Sequence, residues 1–236
     1  MKFYPILLLV FLFGCSNENT APLSHTANGT VIEVSKFSQV VSNLDAEIQI
    51  QVNADSPASC ILQCDKSAEE HIIFNVEHDK LLIGTKPGFS FSHNQPILIF
   101  IRMKTLKSIS CNGSGKMLVE GSAHTDQFDI ENHGSAQIKV NKLSTSQLNI
   151  QGSGSGEIIV QGCCNNLKGS ILGTGSIQAF ALQAENTEVT LTGSGNLETT
   201  VSKSLDVNIT GSGSVVYDGT PSVKKNINGS GTVRSK

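Results

Sequence analysis

Apolar residues stand two apart on both sides of a short glycine turn, and this arrangement recurs through the C-terminal half of the chain. The turn is Asn112-Gly113-Ser114-Gly115. It returns as His133-Gly134-Ser135-Ala136, Gln151-Gly152-Ser153-Gly154, Leu172-Gly173-Thr174-Gly175, Thr192-Gly193-Ser194-Gly195, Thr210-Gly211-Ser212-Gly213 and Asn228-Gly229-Ser230-Gly231. Its first glycines are 21, 18, 21, 20, 18 and 18 residues apart. Four residues after them stand Met117, Ile138, Gly156, Ile177, Leu197, Val215 and Val233; the gap at Gly156 closes if the third copy is centred on Gly154, which brings in Ile158. Two before them stand Cys111, Asn132, Ile150, Ile171, Leu191, Ile209 and Ile227. Period-two alternation on both sides of a fixed turn predicts strand, turn, strand, with one face buried.

One such unit cannot bury its face alone. Covering an inward side chain contributes roughly 1.5–3 kcal/mol, whereas ordering each residue costs roughly 1–2 kcal/mol of backbone entropy. Stacking solves this: like residues sit about 4.7–4.9 Å above like residues and form aliphatic files inside a solenoid. The expected fold class is all-β, a parallel β-solenoid with an 18–21-residue repeat. Its corners fall at the structural turn residues Gly113, Gly115, Gly134, Gly152, Gly154, Gly173, Gly175, Gly193, Gly195, Gly211, Gly213, Gly229 and Gly231. A corner needs positive φ or close backbone approach, and glycine supplies both. A flexible Gly-Ser linker would not carry aliphatic columns in phase. A phosphate-cradling loop lacks its Gly-x-x-x-x-Gly-Lys-Ser/Thr pattern. The calcium-binding nonapeptide repeat needs an aspartate where Lys116, Gln137, Glu157, Ile177 or Asn196 stands.

Before the repeats the pattern is strand-rich but irregular. Ala46 to Val52 alternates cleanly, Cys60, Leu62 and Cys64 share a face, and Ile72, Phe74 and Val76 precede Leu81-Leu82-Ile83. Asp79-Lys80 is the expected hairpin tip, Ser67 to Glu70 a helical turn, and Pro87 to Pro96 an irregular loop. Within that loop Phe89 and Phe91 are expected to pack over a solenoid edge, with stacking on a sugar as the alternative. This part should begin and cap the stack.

The N-terminus carries a different signal. One lysine precedes the apolar run Ile6 to Phe13, which is too short to span a bilayer and reads as a secretory signal. It ends in Leu12-Phe13-Gly14-Cys15, which resembles a bacterial lipobox, although Phe13 departs from the usual small or aliphatic residue. The expected organisation is a signal peptide over residues 1–14, a flexible tether over 15–29 with Cys15 as the lipid attachment site, and a solenoid domain over 30–236. The domain is irregular over 30–105 and regular over 106–236. Ser16 after the cysteine resembles the outer-membrane sorting pattern of Gram-negative lipoproteins.

Charge narrows the partners. The chain has 236 residues, 16% charged and net −3, with two arginines, Arg102 and Arg234. Without a clustered basic face a nucleic-acid partner is not expected. Five cysteines besides Cys15 cannot all pair internally. Cys60 and Cys64 lie about 13 Å apart on one straight strand, too far to bridge. Cys111 holds an inward position, and Cys163 and Cys164 point to opposite faces. No spacing suggests a metal, and no cofactor is expected. His124, Asp126, Asp129, Glu131 and His133 form the densest ionisable cluster. A solvated outer face is its expected use, with Asp129 and Glu131 pointing outward.

Phe37-Ser38-Gln39-Val40-Val41, Ala46 to Val52, Leu81-Leu82-Ile83, Leu106-Lys107-Ser108-Ile109 and the serial Gly-Ser-Gly together resemble the bacterial head GIN domain family, also called autotransporter adhesins, from about Val31 to Lys236. That resemblance implies a right-handed parallel β-helix on exported or lipid-anchored proteins, with adhesion as the proposed role, and it offers no catalytic residues to carry over. The expected function is a non-catalytic, lipid-anchored cell-envelope protein that binds a glycan or a surface protein through its solenoid surface. The alternatives are a carbohydrate-active β-helix enzyme with an acidic cleft near Asp126–Glu131, and a structural or stress-related envelope module.

Overall fold

The computed structural model describes residues 29–52, 58–91 and 96–236. The signal segment, Cys15 and the tether up to residue 28 lie outside the described residues. Three strands come first: β1 (Thr30–Ile32), β2 (Gln39–Ser42) and β3 (Glu47–Val52). Next are β4 (Ser59–Gln63), the helical turn α1 (Lys66–Glu69), the hairpin β5 (Ile72–Glu77) and β6 (Lys80–Thr85), and β7 (Leu98–Met103). The regular part opens with β8 (Ser108–Cys111), β9 (Lys116–Gly121) and β10 (Ala123–Asn132). The long strands β11 (Gln137–Gly154), β12 (Glu157–Gly173), β13 (Ser176–Gly193) and β14 (Asn196–Gly211) turn corners without losing their pairing. The last three are β15 (Ser214–Asp218), β16 (Ser222–Gly229) and β17 (Thr232–Ser235). Together they make a β-solenoid of about six turns.

Each full coil has three sides. The leading side precedes the glycine turn, the following side comes after it, and a short closing side, such as Leu143 to Thr145, completes the circuit. Register fixes the files. On the following side Ile48, Met117, Ile138, Ile158, Ile177, Leu197, Val215 and Val233 pair one above the next. All but Val233 are nearly inaccessible to solvent. On the leading side the file is Val40, Ile109, Ile130, Ile150, Gly169, Val189, Val207 and Lys225. Gly169 leaves a gap that the following side fills: a Cβ there would stand 2.8 Å from Leu197 Cδ1. The opposite walls therefore pack across a narrow interior as well as along it.

One expected register is corrected. The third copy is centred on Gly154, not Gly152, because Gly152 pairs with Asn132 below and Ile171 above. Ile150 accordingly belongs to the file of Ile130, not to that of Ile171. The physical reason lies one coil below. Asn132 is buried and its Nδ2 donates to Ala136 O at 2.7 Å. That amide lies against Gly156, where a Cβ would come within 2.3 Å of Nδ2, so the third copy takes its second glycine at 156 and its first at 154. With Gly154 as the centre, the turn glycines 113, 134, 154, 173, 193, 211 and 229 stand 18–21 residues apart with no outlier.

The N-terminal part does not stack in chain order. β2 pairs in parallel with both β6 and β8, and β3 with both β7 and β9. The first coil is therefore held between a capping coil that follows it in sequence and the first regular coil. Beyond the cap the strands turn antiparallel, β5 on β6, β4 on β7 and β1 on β4. The hairpin tip is His78-Asp79, one residue earlier than expected, with φ of 49° and 66°. Two successive positive φ values make the tight turn whose twist suits a hairpin. At the other end β16 pairs with β14 alone and β17 with β15 alone among the described residues. The final coil is largely exposed and turns Lys225 toward the interior file.

Candidate functional site

Strand alternation directs every second side chain outward, and stacking aligns these into rows along the axis. On the leading side one row runs Gln39, Ser108, Asp129, Asn149, Lys168, Glu188, Asp206 and Lys224. Its members meet in neighbouring pairs. Asn149 Nδ2 donates to Asp129 Oδ1 at 2.7 Å, Lys168 Nζ lies 3.5 Å from Glu188, and Lys224 Nζ lies 3.0 Å from Asp206. A neighbouring row continues the pattern: Asn186 donates to Asn166 at 3.2 Å, and Ser204 donates to Asn186 at 2.8 Å. On the following side Gln137 Nε2 donates to Glu157 Oε2 at 2.6 Å, and Gln178 Nε2 donates to the other carboxylate oxygen. These exposed contacts each contribute little to stability, but they hold the outer surface in a regular polar lattice.

The ionisable cluster comes apart in space. A corner near Asp126 divides β10, so His124 and Asp126 line one surface hollow with Ser144, Cys163 and Glu185. Asp129 and Glu131 line another with Lys80, Lys168 and Ser170. Phe128 and Ile130 point inward and are fully buried, which leaves Asp129 and Glu131 outward. Asp129 accepts from Gln127 as well as Asn149, and Glu131 lies 3.5 Å from His133 Nε2. Asp129 and Glu131 thus each have a neighbour on the surface, and the five groups do not converge on one point. Among the described residues no three His, Cys, Asp or Glu side chains gather as metal ligands would.

The described cysteines are all unpaired. Burial pushes the Cys60 and Cys164 thiols up to about 12, and a like group, Cys163, adds to the rise at Cys164. Burial also raises Cys111, against the lowering effect of a hydrogen bond from the Gly113 backbone. These side chains act as small apolar fillers. Cys163 alone is exposed, next to Ser144 at 3.8 Å.

The glycine turns define the edge between leading and following sides. From Gly154 onward the first glycines have φ near +120°, as at Gly193 with +118°. The Gly193 carbonyl accepts the Ser212 N–H of the next coil at 2.8 Å, and a Cβ on Gly193 would stand 2.5 Å from the Gly173 oxygen of the coil before. The second glycines, such as Gly195, have no positive φ but face the coil below, with Ile171 Cγ2 2.6 Å from a Cβ. Gly156, not Gly154, occupies that place in the third copy; its Cβ would meet Asn132 Nδ2 at 2.3 Å. A second corner, between following and closing sides, escaped the sequence reading. It uses Gly121, Gly162 and Gly219, with φ of 87°, 136° and 104°. Their shared offset, eight residues after Gly113, Gly154 and Gly211, is the signal that could have found them, and it emerges only once the third copy is centred correctly.

Solved structures share this fold. A "putative adhesin" from Bacteroides fragilis superposes with a TM-score of 0.84 at 23% identity, covering 88% of this chain and 96% of its own. A "putative adhesin" from Parabacteroides distasonis gives 0.73 at 21%, and a "putative lipid binding protein" from the same species 0.71 at 23%, both with 88% and 96% coverage. No curated protein matches the chain. The model of the family described as "putative auto-transporter adhesin, head GIN domain" matches residues 36–221. With most of its length matched and its coils stacked as in these structures, the chain belongs to the head GIN domain family.

Proposed function

We propose that this protein is a non-catalytic, lipid-anchored component of the bacterial envelope that binds surface ligands through its solenoid. The outer rows carry the reading. Their amides, hydroxyls and carboxylates are engaged with neighbouring rungs, Asp126 lies in a different hollow from Asp129 and Glu131, and those two carboxylates each have a surface partner. Such a lattice suits many weak contacts with a glycan or a protein surface, in which avidity rather than a single pocket gives retention. The family description and the adhesin-like structural neighbours support the same direction. The lipobox-like Leu12-Phe13-Gly14-Cys15 supports anchoring, with Cys15 acylated and the domain carried on the tether. The outer membrane of a Gram-negative cell is the proposed location.

Two measurements test it. Cys15→Ala should move the protein from the membrane to the soluble fraction; unchanged fractionation refutes the anchor. The protein should adhere to cells or immobilised glycans without releasing reducing ends or unsaturated products. Turnover that disappears in Asp129→Ala would establish an enzyme instead.

A further inference from the structure

Where the cap meets the first two coils, the glycine edge changes character. The first coil has Asn43-Leu44-Asp45-Ala46 where later coils carry the glycine turn, so Asp45 stands in the row of Ser114, Ser135, Ser155, Thr174, Ser194, Ser212 and Ser230. It is the only carboxylate in that row. Over this corner hangs the loop from Lys86 to Phe91. Its start is a tight turn: Phe89 N–H donates to Lys86 O at 3.1 Å, with Pro87 next and Gly88 at φ +80°. That combination is the signature of a rigid type II turn. The turn presents Phe89, which stacks on His71 with centroids 3.6 Å apart and planes 10° from parallel. Phe91 meets Phe89 edge to face at 5.0 Å. Both rings stay half-exposed, and Phe89 is not part of the interior files. Phe91 also packs against the edge of the core, and both rings still line the surface at this corner.

Between loop and corner lies a cleft of about 630 Å³, within the range of about 300–1,000 Å³ common to small-ligand sites. One wall is aromatic. The other carries Asn43, Asp45, Glu47 and Lys116. Asn43 Oδ1 accepts from Asn112 at 2.6 Å, and among the described residues its NH₂ group donates to no other side chain. Glu47 Oε1 accepts from Gln49 at 3.0 Å, and a carboxylate retains further acceptor sites. Among the described residues the Asp45 and Lys116 side chains make no hydrogen bond to another part of the protein.

We propose that this cleft is a sugar-binding site, and that it takes one or two pyranose units of an uncharged glycan. A pyranose has one apolar C–H face and a rim of hydroxyls. The face packs against Phe91 and Phe89, and adjacent hydroxyls donate to Asp45 and Glu47 while accepting from Asn43 and Lys116. An acyl chain would desolvate those four polar groups and offer Asp45 and Lys116 no partner. The inference rests on the binding reading above and supplies its ligand class.

The test is saturation-transfer NMR on the full chain in detergent, with maltotriose, cellotriose, mannotriose and triacetylchitotriose as probes. At least one should bind. Phe91→Leu, which keeps apolar volume but removes the ring, and Asp45→Asn should each weaken it by about tenfold or more while the circular dichroism spectrum of the folded protein is retained. Asp129→Asn, on the leading side, should leave binding unaltered. Absence of transfer from all four trisaccharides, or binding that survives both cleft variants, overturns the proposal. If Phe91→Leu still adheres to cells like the wild type, the cleft assignment falls and the adhesion reading stands. If the wild type adheres to nothing, both fall.

Discussion

Replacing Gly193 by alanine should damage the protein far more than the same change at Gly152, although both glycines belong to the same repeated motif. Gly193 has φ +118°, and an added Cβ would lie 2.5 Å from the Gly173 oxygen and 3.2 Å from its carbonyl carbon. A residue forced into such backbone costs about 1–3 kcal/mol. Prising the coils apart to admit the methyl costs about 1–3 kcal/mol more, as overpacking does elsewhere. The smaller unfolded-state entropy returns about 0.4–1 kcal/mol, so the net loss is about 1–6 kcal/mol. At about 2–4 °C per kcal/mol for a chain of this size, the melting temperature should fall by roughly 2–22 °C. Because a stacked array can open at one interface, the transition should also broaden. At Gly152 φ lies outside the glycine region, and a Cβ meets nothing nearer than 3.9 Å. There only the entropy term remains, a gain of about 0.4–1 kcal/mol, or roughly 1–4 °C. Circular dichroism melts of the two variants decide the matter. Equal shifts of the same sign would refute the register in which Gly154 is the third centre, and with it the packing argument.

Three further outcomes follow from the same geometry. Ile177→Ala empties a fully buried place between Ile158 and Leu197 and should cost about 2–5 kcal/mol in chemical denaturation. A loss below 1 kcal/mol would mean that the files are not packed as described. Lys225 points into the aliphatic file at the open edge, where a charge discourages strand addition; Lys225→Ile should raise self-association in sedimentation velocity, and an unchanged distribution would remove Lys225 from that role. In native protein at pH 8 a thiol reagent should modify Cys163 and spare Cys60 and Cys164, whose thiols burial pushes up to about 12. Since unfolding restores their ordinary pKa, stability should be flat below about pH 9 and fall between about 9 and about 12 as the unfolded chain alone loses those protons; a rise over that window would contradict the burial.

Much of this molecule was written plainly in one dimension. In a solenoid the partner of a residue is its own counterpart one coil away, so the period along the chain is also the contact map, and Ile138, Ile177, Leu197 and Val215 could be placed in one file from spacing alone. The alternation that sends Phe128 and Ile130 inward and Asp129 and Glu131 outward is equally local. Tertiary structure decided whatever depends on neighbours that spacing does not name. Only the buried Asn132 amide, donating to Ala136 and 2.3 Å from where a Cβ on Gly156 would stand, explains why the third turn is built on Gly154 and Gly156. Only long-range pairing could slot β2 and β3 between β6 and β8 and between β7 and β9, because nothing local distinguishes a strand that stacks on its successor from one that waits for a cap 41 to 51 residues on. The corner at Asp126, set by coil geometry, separated charges that are close in sequence. The same folding brought Asp45 under Phe89 and Phe91, a meeting that no periodicity along the chain encodes.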